Sequence, residues 1–271
     1  MTAMLHPAPA CQPVASTRWR YADEAVLARD TEVAVEWPVN IRYGPLPYAV
    51  MMATPLDLED FVTGFSLTEG VIERQDDIRG IRIVPEAEAT TVEVTLAPAR
   101  LRAHLGRRRS LAGRTSCGAC GVEDAAQLPR AATARAMPVA IDAASVAAGV
   151  AALRGWQPLH ARTRSVHGAA WCDLTGRILL AREDVGRHNA LDKLAGAVLR
   201  ARLAAADGFV VVTSRASYEM VEKTAILGAP ALVSVSAPTS LAVTRARASG
   251  LTLVSVARDE GCEVFAGRLR G

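Results

Sequence analysis

Hydrophobic and polar positions roughly alternate along Val33-Ala34-Val35-Glu36-Trp37-Pro38-Val39-Asn40-Ile41, which predicts a strand, and Tyr48-Ala49-Val50-Met51-Met52 predicts a second. The period then lengthens. Leu58, Phe61, Val62 and Phe65 recur at helical spacing. Ahead of them, Thr54-Pro55-Leu56-Asp57 opens the helix, with Pro55 where a missing N–H is tolerated. Gly80-Ile81-Arg82-Ile83-Val84 and Thr91-Val92-Glu93-Val94-Thr95-Leu96 return to strand patterning as an antiparallel pair. Residues 29–103 therefore read as a small α+β subdomain. Residues 1–28, rich in Pro and Ala without clear period, read as a loose tail.

Residues 104–137 lose the pattern. They are rich in Gly, Ala and Arg and are expected to form a mobile loop, since long irregular connections are commonly functional. From 138 to 271 the pattern alternates between the two periods. Ile141 to Arg154 reads as a helix with Val146, Val150 and Leu153 on one face. Strands are expected at Arg177–Arg182, Phe209–Thr213, Ala231–Val235 and Leu251–Val256. Between them lie a helix carrying Leu191, Leu194, Ala195, Val198 and Leu199, with Asp184 as its N-cap, a helix ending near Gly228, and a helix following Ser240. Strand–helix alternation predicts an α/β fold with a mainly parallel three-layer core.

The 271 residues suffice for one large domain or two modest ones, and 50% hydrophobic content excludes a disordered chain. A net charge of +3 is too small for an overall nucleic-acid coat. No apolar run reaches membrane-spanning length, and the N-terminus lacks the pattern of a secretory signal. The five cysteines are Cys11, Cys117, Cys120, Cys172 and Cys262, an odd and sparse set that is no disulfide framework. A reducing cytoplasm is the default location.

Two of those cysteines sit in Thr115-Ser116-Cys117-Gly118-Ala119-Cys120-Gly121. Structural zinc needs four ligands, and no second knuckle spacing supplies the other two. A thioredoxin-like redox pair caps a helix after a strand, and Gly118 and Gly121 work against that. Plain structural cysteines are a further reading. A mobile nucleophilic thiol is the last, with Arg107, Arg108, Arg109 and Arg114 nearby to favour thiolate.

Glu183-Asp184-Val185-Gly186-Arg187-His188-Asn189-Ala190-Leu191-Asp192-Lys193 crowds charged groups at a strand-to-helix junction, the part of an α/β sheet that faces ligand. Asp184, His188 and Asp192 recur every four residues, as on one helical face, although His188 also suits a purely structural role. Two more junctions, Ser214-Arg215-Ala216-Ser217 and Ser236-Ala237-Pro238-Thr239-Ser240, offer hydroxyls and helix N-termini to phosphate oxygens, and Arg215 adds a bidentate contact. Helix capping alone also explains these serines. Together the three junctions point to a phosphorylated or nucleotide-like ligand. A zinc deaminase is rejected. Its signature is His-x-Glu followed by a later Cys-x-x-Cys, whereas here His167 is followed by Gly168-Ala169 and the cysteine pair comes first.

These stretches, with His167-Gly168-Ala169-Ala170, Ser217-Tyr218-Glu219-Met220-Val221-Glu222-Lys223, Val235 to Val243, Met52-Ala53-Thr54-Pro55 and Gly64-Phe65 to Glu69-Gly70, resemble the formate dehydrogenase accessory sulfurtransferase family (FdhD) across residues 36 to about 265. The resemblance implies a sulfur carrier. A cysteine desulfurase loads a persulfide onto the first cysteine, here Cys117. The sulfur then passes to the bis-molybdopterin guanine dinucleotide form of the molybdenum cofactor, bound as client, before that cofactor enters formate dehydrogenase. Cys120 would resolve an over-oxidised thiol or assist release. The resemblance further implies a homodimer, a core like that of cytidine deaminase without its zinc, and no resident metal or cofactor. Cofactor contacts are expected from Cys262, Glu263, Val264, Phe265, Ala266 and Gly267, and from Arg215, Ser217, Ser236, Thr239 and His188. Phe265 lacks the phenolic oxygen of the family's usual tyrosine, and Thr213-Ser214-Arg215 replaces its usual Ser-Gly-Arg. The alternative is a non-catalytic molybdenum-cofactor chaperone, and another is a zinc-stabilised binding protein.

Overall fold

A computed structural model describes residues 8–22, 25–110, 141–258 and 260–271. It opens on a hairpin of β1 (Cys11–Trp19) and β2 (Val26–Ala34), paired without a break from Cys11↔Ala34 to Trp19↔Val26. Where the expected loose tail of residues 1–28 is described, it is corrected for Cys11–Trp19 and from Val26 onward, which are strand. The ribbon is exposed on both faces, so its side chains have no inside and outside to alternate between, and the period is blurred. Val35 N donating to Ala10 O closes its base, and an Arg162–Glu32 ion pair ties it to the body.

β3 (Trp37–Tyr43), β4 (Leu46–Ala53), β5 (Ile78–Pro85) and β6 (Thr90–Leu96) form a four-stranded sheet in the order β4-β3-β6-β5. Val39, Ile41, Tyr43, Val92, Val94 and Leu96 share a core with Phe61, Val62 and Phe65 of α1 (Leu58–Thr68). The helix starts at Leu58 rather than in the Thr54–Asp57 stretch, because Asp57 is left-handed at φ 52° and Thr54 O accepts from Leu56 N in a tight turn. After β6, α2 (Pro98–Ser110) carries regular structure beyond the expected loop start at 104. Cys117 and Cys120 lie outside the described residues.

The rest of the chain adds β7 (Ile141–Asp142), α3 (Ala143–Leu153), α4 (Pro158–Thr163), β8 (His167–Asp173), β9 (Ile178–Asp184), α5 (Arg187–Arg200), β10 (Gly208–Val212), α6 (Tyr218–Leu227), β11 (Ala231–Ser234), α7 (Ser240–Ser249), β12 (Thr252–Arg258), β13 (Gly261–Ala266) and β14 (Leu269–Arg270). Six strands form one sheet in the order β13-β12-β11-β10-β8-β9, and β14 pairs separately with β7. Within the six-stranded sheet the parallel pairs are β10–β11 and β11–β12, joined through α6 and α7. The mainly parallel expectation is corrected to a mixed α/β sheet, since antiparallel hairpins β8–β9 and β12–β13 flank the parallel centre.

Helices cover both faces. Ala170, Cys172, Phe209, Val211, Val233 and Val254 pack toward α3. The alternate residues Ala169, Trp171, Val210, Val212, Leu232 and Leu253 pack toward α5, α6 and α7. That second core is continuous with the N-terminal sheet, because α1 crosses α5 at backbone contact. A Cβ on Gly64 would lie 1.8 Å from Asp192 O, and one on Gly196 would lie 1.9 Å from Asp60 O.

Candidate functional site

β10, β11 and β12 end at Val212, Ser234 and Arg258, and β8 begins at His167, paired with Asp184 at the end of β9. One sheet edge thereby collects residues 183–188, 213–217 and 235–239 with the β12–β13 turn. In open α/β sheets, ligands bind outside the carboxyl ends of the strands, which is where these residues lie.

The first junction divides into a structural half and an exposed half. Asp184 is not the N-cap of α5. It ends β9, and Gly186 occupies the cap. The proposed stripe of Asp184, His188 and Asp192 is therefore reduced to His188 and Asp192. Asp184 is fully buried and paired with the equally buried Lys193 at 2.7 Å. Its carboxylate also accepts from Thr54 N at 2.9 Å, Gly186 N at 2.8 Å and Asn189 Nδ2 at 3.1 Å. Lys193 Nζ donates to Thr54 O, Val185 N to Thr54 Oγ1, and Asn189 Nδ2 to Met52 O. These bonds clamp the end of β4 to the junction, which explains the charged residues without a ligand. Glu183 accepts from Leu159 N and His160 N, capping α4.

Arg187 and His188 remain for the site, both in the first turn of α5. His188 Nε2 stands 2.9 Å from Glu219 Oε2 in the first turn of α6. That imidazole holds the Glu219 carboxyl below the usual range against the opposing effect of burial, aided by Lys223 and Arg187. Ser217 is the N-cap of α6, yet its side chain makes no capping bond. Ser217 Oγ and Arg187 Nε are buried without a hydrogen-bond partner among the described residues. Arg215 is exposed beside them.

The third junction is more self-contained. Ser236 N donates to Ser234 Oγ, Ser236 O accepts from Val256 N, and Thr239 caps α7 by accepting from Ala242 N at 3.3 Å. Behind the edge, Lys223 Nζ bonds both Asp192 oxygens at 2.8 Å and Thr68 Oγ1 at 2.9 Å. Burial pushes the nearby Glu69 carboxyl up, with Lys223 partly offsetting this and Asp192 and Glu219 adding to it.

The expected 262–267 segment is split by the geometry. Cys262 packs toward the α3 face, while Glu263 and Val264 are exposed on the edge strand β13. Phe265 packs against the other core, and its carbonyl accepts from Arg247 Nη2. Ala266 pairs with Leu253, and a Cβ on Gly267 would meet Thr252 Oγ1 at 2.4 Å. Both therefore lie at the opposite end of β12 from Arg215, Ser217, Ser236, Thr239 and His188.

Sequence reasoning assigned His167, Arg187 and Glu219 no individual place in the site, although Arg187 lies in the Glu183–Lys193 stretch expected to face the ligand. His167 opens β8 half-exposed. Burial holds its imidazole below the ordinary histidine value, Arg187, His160 and His188 add to that, and Asp184 opposes it. The available signal was position: Arg187 adjoins His188, and Glu219 lies two residues after Ser217. Among the described residues, no group of His, Cys, Asp and Glu is placed to hold a metal ion, and no helix is long and apolar enough to cross a membrane.

The model of the FdhD/NarQ family matches residues 34–270. The chain is 48% identical over 233 residues to the sulfur carrier protein FdhD of Xanthomonas euvesicatoria pv. vesicatoria, covering 86% of this chain and 83% of that one. It is 42% identical over 268 residues to the protein of the same name from Bordetella petrii, covering 98% and 96%. A solved structure from Desulfotalea psychrophila, described as a candidate formate dehydrogenase accessory protein, superposes with a TM-score of 0.73 at 28% identity, covering 96% of this chain and 98% of that one.

Proposed function

The chain belongs to the FdhD/NarQ family, and on that premise we propose that it is a sulfur carrier serving formate dehydrogenase. Cys117 accepts sulfane sulfur from a cysteine desulfurase in the reducing cytoplasm. The guanine-nucleotide-bearing molybdenum cofactor is the client that receives it. A homodimer and a core related to that of cytidine deaminase belong to the same reading. Its loading step needs no external redox partner. The Cys117 thiolate attacks the terminal sulfur of the donor persulfide, the donor S–S bond breaks, and the donor leaves as thiolate.

The observation that carries the client end is the sheet edge with the buried, unpartnered Arg187 Nε and Ser217 Oγ. A buried donor without a partner costs about 1–3 kcal/mol. Phosphate oxygens at two helix N-termini would remove that cost. The exposed Arg215 adds a charge-assisted contact.

Intact mass under non-reducing conditions, after incubation with a cysteine desulfurase and cysteine, tests the carrier. Wild type is expected to gain one reducible sulfur atom, and Cys117→Ala to gain none. No gain in wild type with an active desulfurase would favour the non-catalytic chaperone. For the client edge, Arg215→Ala is expected to weaken guanosine diphosphate binding about tenfold by calorimetry, a charge-assisted bond being worth roughly 1.5–3 kcal/mol. Unchanged affinity would remove Arg215 from the site.

A further inference from the structure

The client edge makes no use of the β1–β2 hairpin, which ends at Ala34 where the family match begins. Among the described residues, neither of its strands contributes to the buried core. The body meets it at the base, where Arg162 of α4 pairs with Glu32. A ribbon of two strands is marginal in water by itself and needs further strands or a packed surface. Val35 N donates to Ala10 O, and Arg20 N to Ala25 O. In the unbroken register this turns the backbone groups of even-numbered β1 residues toward β2 and those of odd-numbered ones, Pro13 among them, outward. A proline with no N–H to offer blunts that outer edge against strand addition. The remaining way to cover the ribbon is across a face.

The two faces differ in charge. Register places Val14, Arg18, Leu27, Arg29 and Val33 on one face, where the Ser16 and Thr31 hydroxyls bond at 2.8 Å. Both charged groups of this face are basic. Its aliphatic side chains are uncovered, with Val14 41%, Leu27 47% and Val33 37% exposed. The opposite face carries Asp30 and Glu32, and it is the one turned toward α4 at the base.

We infer that the face of Val14, Leu27 and Val33 docks on the body of a second copy of this chain, each copy giving one ribbon and receiving one. The inference rests on the homodimer of the proposed function and assigns it an interface. Area selects the occupant. Strands of nine residues present a face of about 30 Å by 10 Å, so one ribbon and the surface it covers bury roughly 600 Å². That is the size of a crystal-packing contact, too small for one-way docking on a different protein. Two reciprocal ribbons bury about 1,200 Å², where specific interfaces begin. The exchange also closes under twofold symmetry. Stacking ribbon on ribbon does not serve. Like faces would set the Arg18 and Arg29 charges of both copies together, and unlike faces would stack without closing.

Sedimentation velocity of the full chain over a range of concentrations tests this. Wild type is expected to sediment as a dimer. Leu27→Glu and Val14→Glu each place a carboxylate in the apolar contact and should weaken association by on the order of a hundredfold. Thr17→Glu lies on the opposite face and should leave association unchanged. Far-ultraviolet circular dichroism of the three variants serves as the folding control. Leu27→Glu and Val14→Glu chains that are folded and dimerise as tightly as wild type would overturn the inference and leave the homodimer to another surface. Equal weakening in Thr17→Glu would overturn the assignment to this face. A monomeric wild type would remove the homodimer from the proposed function, and this inference with it, while sulfur loading read by intact mass would still stand or fall separately.

Discussion

Lys193→Met is expected to cost about 3–5 kcal/mol, because it strands a carboxylate inside the protein. Asp184 and Lys193 are both fully buried and 2.7 Å apart. Met preserves most of the aliphatic volume, so the loss reports charge rather than a cavity. Asp184 would keep the N–H groups of Thr54 and Gly186 but lose its counter-ion. Thr54 O would keep Leu56 N but lose its second donor, Lys193 Nζ, which loosens the tie between the β4–α1 turn and α5. Urea unfolding measures the effect, and at about 2–3 °C per kcal/mol the melting temperature should fall by roughly 10 °C. The double variant Asp184→Asn/Lys193→Met should recover much of the loss, since replacing both charges removes the stranded one. A single variant within about 1 kcal/mol of wild type would show that the carboxylate finds water or a proton instead. The consequence reaches the site, because Arg187 and His188 follow the clamped junction directly.

The same residues show what the sequence made legible. Phe209-Val210-Val211-Val212 and Ala231-Leu232-Val233 were readable as strands because sheets covered on both faces select unbroken apolar runs. Strand direction was not readable from those runs. His167–Asp173 has no alternation, being buried on both faces, and its hairpin to β9 is announced only by the turn at Asp173-Leu174-Thr175-Gly176, with Gly176 at φ 88°. Asp184 resembled a cap because an acidic residue between a strand and a helix is what a cap looks like in one dimension. Its true partner is nine residues on, and only tertiary burial selects a lysine there. The edge itself was legible in part, since the β10–α6 and β11–α7 junctions must gather at one end of a parallel set, whereas β9 reaches that end through its antiparallel hairpin with β8. The placement of Ala266 and Gly267 was not, since it depends on a bulge in the β12–β13 register.

Gly64→Ala and Gly196→Ala are each expected to cost more than about 3 kcal/mol, beyond the usual range for overpacking, because the new methyl meets backbone on a facing helix rather than a side chain that can turn aside. The clashes are reciprocal: Gly64 against Asp192 O, and Gly196 against Asp60 O. Relief requires α1 and α5 to separate. Separation would stretch the Asp60 pairs with Arg182 and Arg200, and the bonds Asp192 makes with Thr68. It would also open the core that the N-terminal sheet shares with the six-stranded sheet. The two substitutions force the same movement, so the double variant should cost clearly less than the sum of the singles, a coupling that distant sites do not show. Thermal unfolding of wild type and the three variants measures it, with one cooperative transition expected for wild type because no layer of solvent divides the core. Additive losses would mean that each clash is relieved locally. Two separate transitions in wild type would mean that the α1–α5 crossing does not join the two sheets into one folding unit.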